Sequence, residues 1–144
     1  MTDPDLDRSA ALGPEARAAV DGGRLGHLTT LNADGSPQTT IIWVGMDGDR
    51  PAIASLADRA KLRNARRDPR VSLSIEAEGT THGLPNYLVV EGRAEVVEGG
   101  AAEWLQTLAH RYIGPDAVFP PGDNHAPGYR LLITPTRVRG NGPW

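Results

Sequence analysis

Apolar residues do not keep one period along this chain, and the changes of period divide it into elements. Leu25–Leu31 and Gln38–Met46 are rich in β-branched residues and flank Asn32-Ala-Asp-Gly-Ser-Pro, the composition of a hairpin connection. Asp47-Gly48-Asp49 marks a second turn before a strand at Ala52–Leu56, and Val71–Ile75, Tyr87–Val97 and Tyr129–Thr134 read as three more. Arg137–Arg139 extends the last of these after Pro135. Helical segments interrupt the strands. Pro14–Asp21 starts on proline and ends at Gly22-Gly23, and Asp58–Arg67 has Asp58 as N-cap and Asp68-Pro69 as its stop. From Ala101 to about Ile113, residues Trp104, Leu105, Leu108, Ala109 and Tyr112 form one apolar stripe.

The order α-β-β-β-α-β-β-α-β, with tight turns between neighbouring strands, predicts a mainly β domain with flanking helices. Six antiparallel strands would form a small barrel. Residues 1–12 are polar and read as a mobile N-terminal tail, leaving 13–144 as a single domain. Pro115–Pro127 is a loop with four prolines, too long for a plain connection and a candidate border for a substrate pocket.

Composition narrows the function classes. A net charge of -3 speaks against an electrostatically driven nucleic-acid binder, and no apolar run is long enough to span a membrane. The chain has no cysteine, so disulfides and thiolate chemistry are excluded. The acidic N-terminus lacks a signal-peptide core, and a cytoplasmic location is the simplest expectation. His27, His82, His110 and His125 show no metal-ligand spacing, and no metal site is expected.

The 15 basic residues comprise 14 Arg and one Lys, Lys61. Six of them, Arg59, Lys61, Arg63, Arg66, Arg67 and Arg70, fall within residues 59–70. A solvated basic helix face is the plain explanation, and Arg66 and Arg67 in the last turn suit the helix dipole. Arg59 and Lys61 in the first turn oppose it, by roughly 0.3–1 kcal/mol each. A bound anion reverses that sign, because first-turn N–H groups and both side chains then converge on a phosphate. Ser55, at the end of the preceding strand, supplies a hydroxyl. Along the strand before it, Gln38, Thr40, Ile42 and Val44 share one face, and Thr39, Ile41 and Trp43 share the other. One face serves a core and the other a neighbour, or the strand runs beside a flat heterocycle.

Four stretches then carry a family resemblance: Leu25-Gly-His-Leu-Thr-Thr; Asp34-Gly-Ser-Pro-Gln-Thr-Thr; Ser55 with Arg59-Ala-Lys61-x-Arg-Asn64-x-Arg-Arg-Asp-Pro-Arg70; and Glu91-Gly92. Together they resemble the flavin/deazaflavin oxidoreductases of the split β-barrel fold, in particular F-420-dependent enzymes related to pyridoxamine-phosphate oxidase. The resemblance covers roughly residues 14–140. It implies a homodimer with cofactor sites at the subunit interface, Ser55, Arg59 and Lys61 on the cofactor phosphate, and Gln38, Thr40, Ile41, Ile42 and Trp43 beside the ring. Ile41 and Trp43 stand where polar residues occur in relatives, giving the ring an apolar setting. Arg63 is a candidate for an anionic oligoglutamate tail. The implied activity is hydride transfer from reduced coenzyme F-420 to an enone- or quinone-like small molecule. The alternatives are an FMN-dependent oxidase or reductase and a non-catalytic cofactor- or haem-binding carrier.

Overall fold

The computed structural model describes residues 11–144. The described elements are α1 (Pro14–Val20), β1 (Gly26–Leu31), β2 (Pro37–Ile42), β3 (Gly45–Asp47), β4 (Arg50–Ser55), α2 (Ala60–Arg67), β5 (Arg70–Thr81), β6 (Leu84–Glu98), α3 (Ala101–Tyr112) and β7 (Tyr129–Asn141). All seven strands form one antiparallel sheet in the order β2-β1-β5-β6-β7-β4-β3. Its inner face carries Leu28, Leu73, Ile75, Leu88, Val90, Leu131 and Ile133, all essentially inaccessible. Helices α1 and α2 add Ala16, Val20, Leu62 and Ala65 to the same core. Residues 1–10 of the expected tail lie outside the described residues, whereas Leu12 at its end is buried in the core.

The architecture is mainly β with three helices, as expected, but it has seven strands and not six. The run expected to be one strand, Gln38–Met46, breaks at Trp43-Val44. Val44 finds no strand partner there; its N–H donates to the Tyr112 hydroxyl at 3.0 Å, and that hydroxyl donates to the Arg24 carbonyl at 2.7 Å. Before the break the chain lies on one edge of the sheet, as β2. After it the chain lies on the other, as β3. The sheet therefore curls until its edges are two residues apart, although no β2–β3 ladder closes it.

Two other differences have local causes. The β5–β6 hairpin runs far beyond the expected strand ends, to Thr81 and from Leu84, because Glu76–Asn86 offers no apolar alternation to read. Its tip turns on His82 and Gly83, both at positive φ. Strand β7 also passes straight through Pro135, since the pairing with β6 shifts register between Glu91 and Gly92 and accommodates the missing N–H. Gly92 is required at this bulge. A Cβ there would run into the Thr134 carbonyl.

Candidate functional site

Strand β4 ends at Ser55, and the chain reaches α2 through Leu56–Arg59. The Ser55 hydroxyl, in a residue 8% exposed, donates to the Ala57 carbonyl at 2.6 Å and tightens that turn. Its proton is thus used within the chain, and only its lone pairs face outward chemistry. The N-cap of helix α2 lies one residue later than expected, at Arg59, with the helix starting at Ala60 and no side-chain cap. Asp58, expected to cap it, instead pairs with Arg66 at 2.9 Å. The reason is the competing cation: Arg66 reaches Asp58 from the last turn while its guanidinium lies 4.9 Å from the centre of the Tyr129 ring. An Asp cap would neutralise the helix terminus. Its withdrawal leaves the first-turn N–H groups of Ala60 and Lys61 open and the terminus electropositive.

Lys61 is the distinctive group here. It is 8% exposed, and among the described residues its ammonium has no hydrogen-bond or ion-pair partner. Burial lowers its pKa below the ordinary lysine value, and the nearby Arg59 charge adds to the effect. The stem of Lys61 is buried while its ammonium keeps solvent access without a protein partner, so the charge is partly desolvated, and an anion at the terminus would offset that cost. Arg59 is exposed and likewise makes no described side-chain bond. Arg63 is turned differently: it donates to the Asp58 carbonyl at 2.7 Å.

The base of α2 is anchored by a polar chain. Asn64, 6% exposed, donates to Thr30 at 3.1 Å and to Asn32 at 2.9 Å, and accepts from Arg67. Thr30 donates to Gln38 at 3.1 Å, and Gln38 donates to Thr40 at 2.8 Å. The side chains of Gln38 and Thr40 are therefore spent in joining β1 and β2 to α2. Ile42 points into the core at 9% exposure.

The opposite face of this stretch is different. Ile41 is 59% exposed, and Trp43 stacks on Tyr112 with centroids 5.3 Å apart and planes 10° off parallel. Phe119, from the Pro-rich loop, meets Trp43 edge-on at 5.4 Å. With Leu25, Leu105 and Ala54 they line an open cavity of about 270 Å³ that carries no charged side chain. Ala54 belongs to this groove and Ser55 to the turn into α2, so the two regions meet at the end of β4. Periodicity places Leu105 and Tyr112 on one apolar helix stripe without showing that they face this groove, and for Phe119 a Pro-rich loop of unusual length is the only signal.

The sequence model of the family described as pyridoxamine 5'-phosphate oxidase matches residues 12–141, nearly the whole chain. The chain belongs to that family. Among solved structures, it is similar to an F420 reductase, with 28% identity over 89% of this chain and 98% of the other and a TM-score of 0.70. A conserved hypothetical protein from Mycobacterium tuberculosis matches at 27% identity, 94% and 87% coverage, and a TM-score of 0.70. A haem-binding protein from Mycobacterium smegmatis shares the fold at 21% identity and a TM-score of 0.63, with 100% of this chain matched to 56% of that one. The fold is thus that of the flavin and deazaflavin split-barrel superfamily. Among the described residues, no helix of this family member is long and apolar enough to cross a membrane.

Proposed function

We propose that the chain is an oxidoreductase that uses reduced coenzyme F-420, a phosphate-bearing deazaflavin, to reduce an uncharged enone- or quinone-like molecule. The observation that carries this reading is Lys61, a largely buried lysine whose ammonium has no partner among the described residues, beside Arg59 at an uncapped helix terminus. That donor set suits a phosphate: two cations and two open N–H groups share one turn. Lys61 and Arg59 would hold the phosphate, and the backbone of β2 from Gln38 to Ile42, with Trp43 just beyond it, would run beside the ring. When bound, the deazaflavin supplies the hydride. Ile41, Trp43 and Phe119 keep water from the reacting face and give the acceptor an apolar surface. Family membership and the likeness to an F420 reductase support the reading.

A parallel titration with F-420, FMN and haem, followed by absorbance or fluorescence quenching, tests the assignment. F-420 is expected to bind tightest. Tight FMN binding without an F-420 response would move the protein to the FMN-dependent class, and haem binding without turnover would make it a carrier. Lys61→Ala is expected to weaken cofactor binding by about 1–3 kcal/mol, the scale of a lost charge-assisted bond. Unchanged affinity in that variant places the phosphate elsewhere.

A further inference from the structure

Phe119 forms one wall of the apolar groove, yet it sits on a 16-residue connection, 113–128, that has no regular structure of its own. Its position comes from one side chain of α3. The Gln106 carbonyl oxygen accepts the Phe119 N–H at 3.0 Å, and its amide nitrogen donates to the Ala117 carbonyl at 2.6 Å. The same nitrogen lies 2.8 Å from His110 Nε2. Since the amide oxygen is taken by Phe119, the nitrogen is the donor to His110, whose Nε2 accepts. All the polar groups of Gln106 are then engaged. The clip spans two loop residues on either side of Val118, a residue 73% exposed that contributes no anchoring burial.

We propose that Gln106 is a positioning residue that sets acceptor specificity. By pinning Ala117 and Phe119 to α3, it holds the Phe119 ring edge-on to Trp43 and fixes the width of the groove. This rests on the function proposed above and names the acceptor class for it: a compact, flat, uncharged ring. The cavity, about 270 Å³, is just below the usual lower bound for ligand pockets of roughly 300 Å³, and every side chain named in its lining is apolar. Releasing the clip withdraws one wall. A compact ring then loses a contact it cannot replace, whereas a two-ring acceptor still spans from Trp43 to Leu105.

The test compares cyclohex-2-enone with menadione, using the full chain and reduced F-420. In Gln106→Met, which keeps the side-chain volume but not the clip, KM for cyclohexenone is expected to rise on the order of tenfold while kcat falls less. KM for menadione should stay within about twofold, and F-420 affinity should be unchanged. Phe119→Leu, with the clip intact, should reproduce the same change in preference and covers the case in which Gln106→Met does not fold. Equal losses for both acceptors, or no change for either, overturn the proposal. A second readout needs no turnover: quenching of Trp43 emission by menadione, taken as the difference from Trp43→Phe. There the wild type should saturate and Gln106→Met should show altered quenching depth. Saturable quenching without turnover would fail the proposed reaction but keep the groove assignment. Emission that follows protein concentration instead would seat a second copy in the groove and overturn it.

Discussion

The terminus of α2 and the groove beside Trp43 are built on opposite principles, although they meet at the end of one strand. At α2 the selecting feature is an unpaired charge, Lys61, and the helix is anchored by a chain of hydrogen bonds from Arg67 through Asn64 and Thr30 to Gln38, buried at the Asn64–Thr30 link. In the groove no charge is present, and the shape depends on aromatic contacts and one loop clip. On the proposed function, the first region selects by charge, as phosphate recognition demands. The second is defined by surfaces that can be moved. If the proposed assignments hold, such a protein can keep its cofactor while its acceptor range drifts.

Variants that damage one region and spare the other sharpen that contrast. The largest effect is expected from Asn64→Leu, which leaves Thr30 and Arg67 without their buried partner. The cost should be about 3 kcal/mol in urea unfolding, together with weaker cofactor binding, while menadione quenching of Trp43 persists. If the groove is lost as well, the two regions are one cooperative unit. Tyr112→Phe acts on the other side. It removes the hydroxyl that serves Val44 and Arg24, and should cost about 1 kcal/mol in stability and shift Trp43 emission, with cofactor affinity unchanged. Arg59→Ala should weaken cofactor binding only about 1.4- to fivefold, the range of an exposed ion pair of roughly 0.2–1 kcal/mol, and the loss should fade in high salt.

The smallest effect concerns pH. Because the folded pKa of Lys61 lies below its unfolded value, the unfolded chain binds the extra proton between the two. The cost of burying the ammonium is present in full below the folded pKa. It is relieved as pH rises toward the unfolded value of about 10.5, so Lys61 gives apo stability an upward slope there. Denaturant melts of wild type and Lys61→Met across that alkaline window should differ in slope, with the wild type gaining relative to the variant. Parallel curves would mean that Lys61 is paired or solvated in solution.

Much of the α2 region was legible in the sequence, because charges on a short helix declare their turn. Lys61 reads as a first-turn cation from spacing alone, and Arg59, expected beside it in that turn, is the N-cap. The cap was not legible, since the competition between the helix terminus and Arg66 for Asp58 depends on how the last turn folds back. The groove was less legible still. Ile41 and Trp43 could be placed on one strand face, but the partner that bends the chain at Val44 is a hydroxyl 68 residues away. Gln106 looks like any polar residue on an amphipathic helix. Its role appears only when the loop lies against it. The count of strands failed for the same reason: one β-rich run feeds both edges of the sheet, and no local pattern records a change of edge.

That change of edge sets a length constraint on the whole molecule. Three peptide steps connect Ile42 to Gly45, a reach of at most about 11 Å. The girth of the curled sheet is therefore tied to the chain itself, and strands cannot be added or splayed apart without lengthening this link. A descendant needing a wider interior would have to acquire an insertion at Trp43-Val44. A single added residue there would also put every β3 side chain on the wrong face. Diversification is thereby pushed outward, to loops such as 113–128, while the interior volume is inherited.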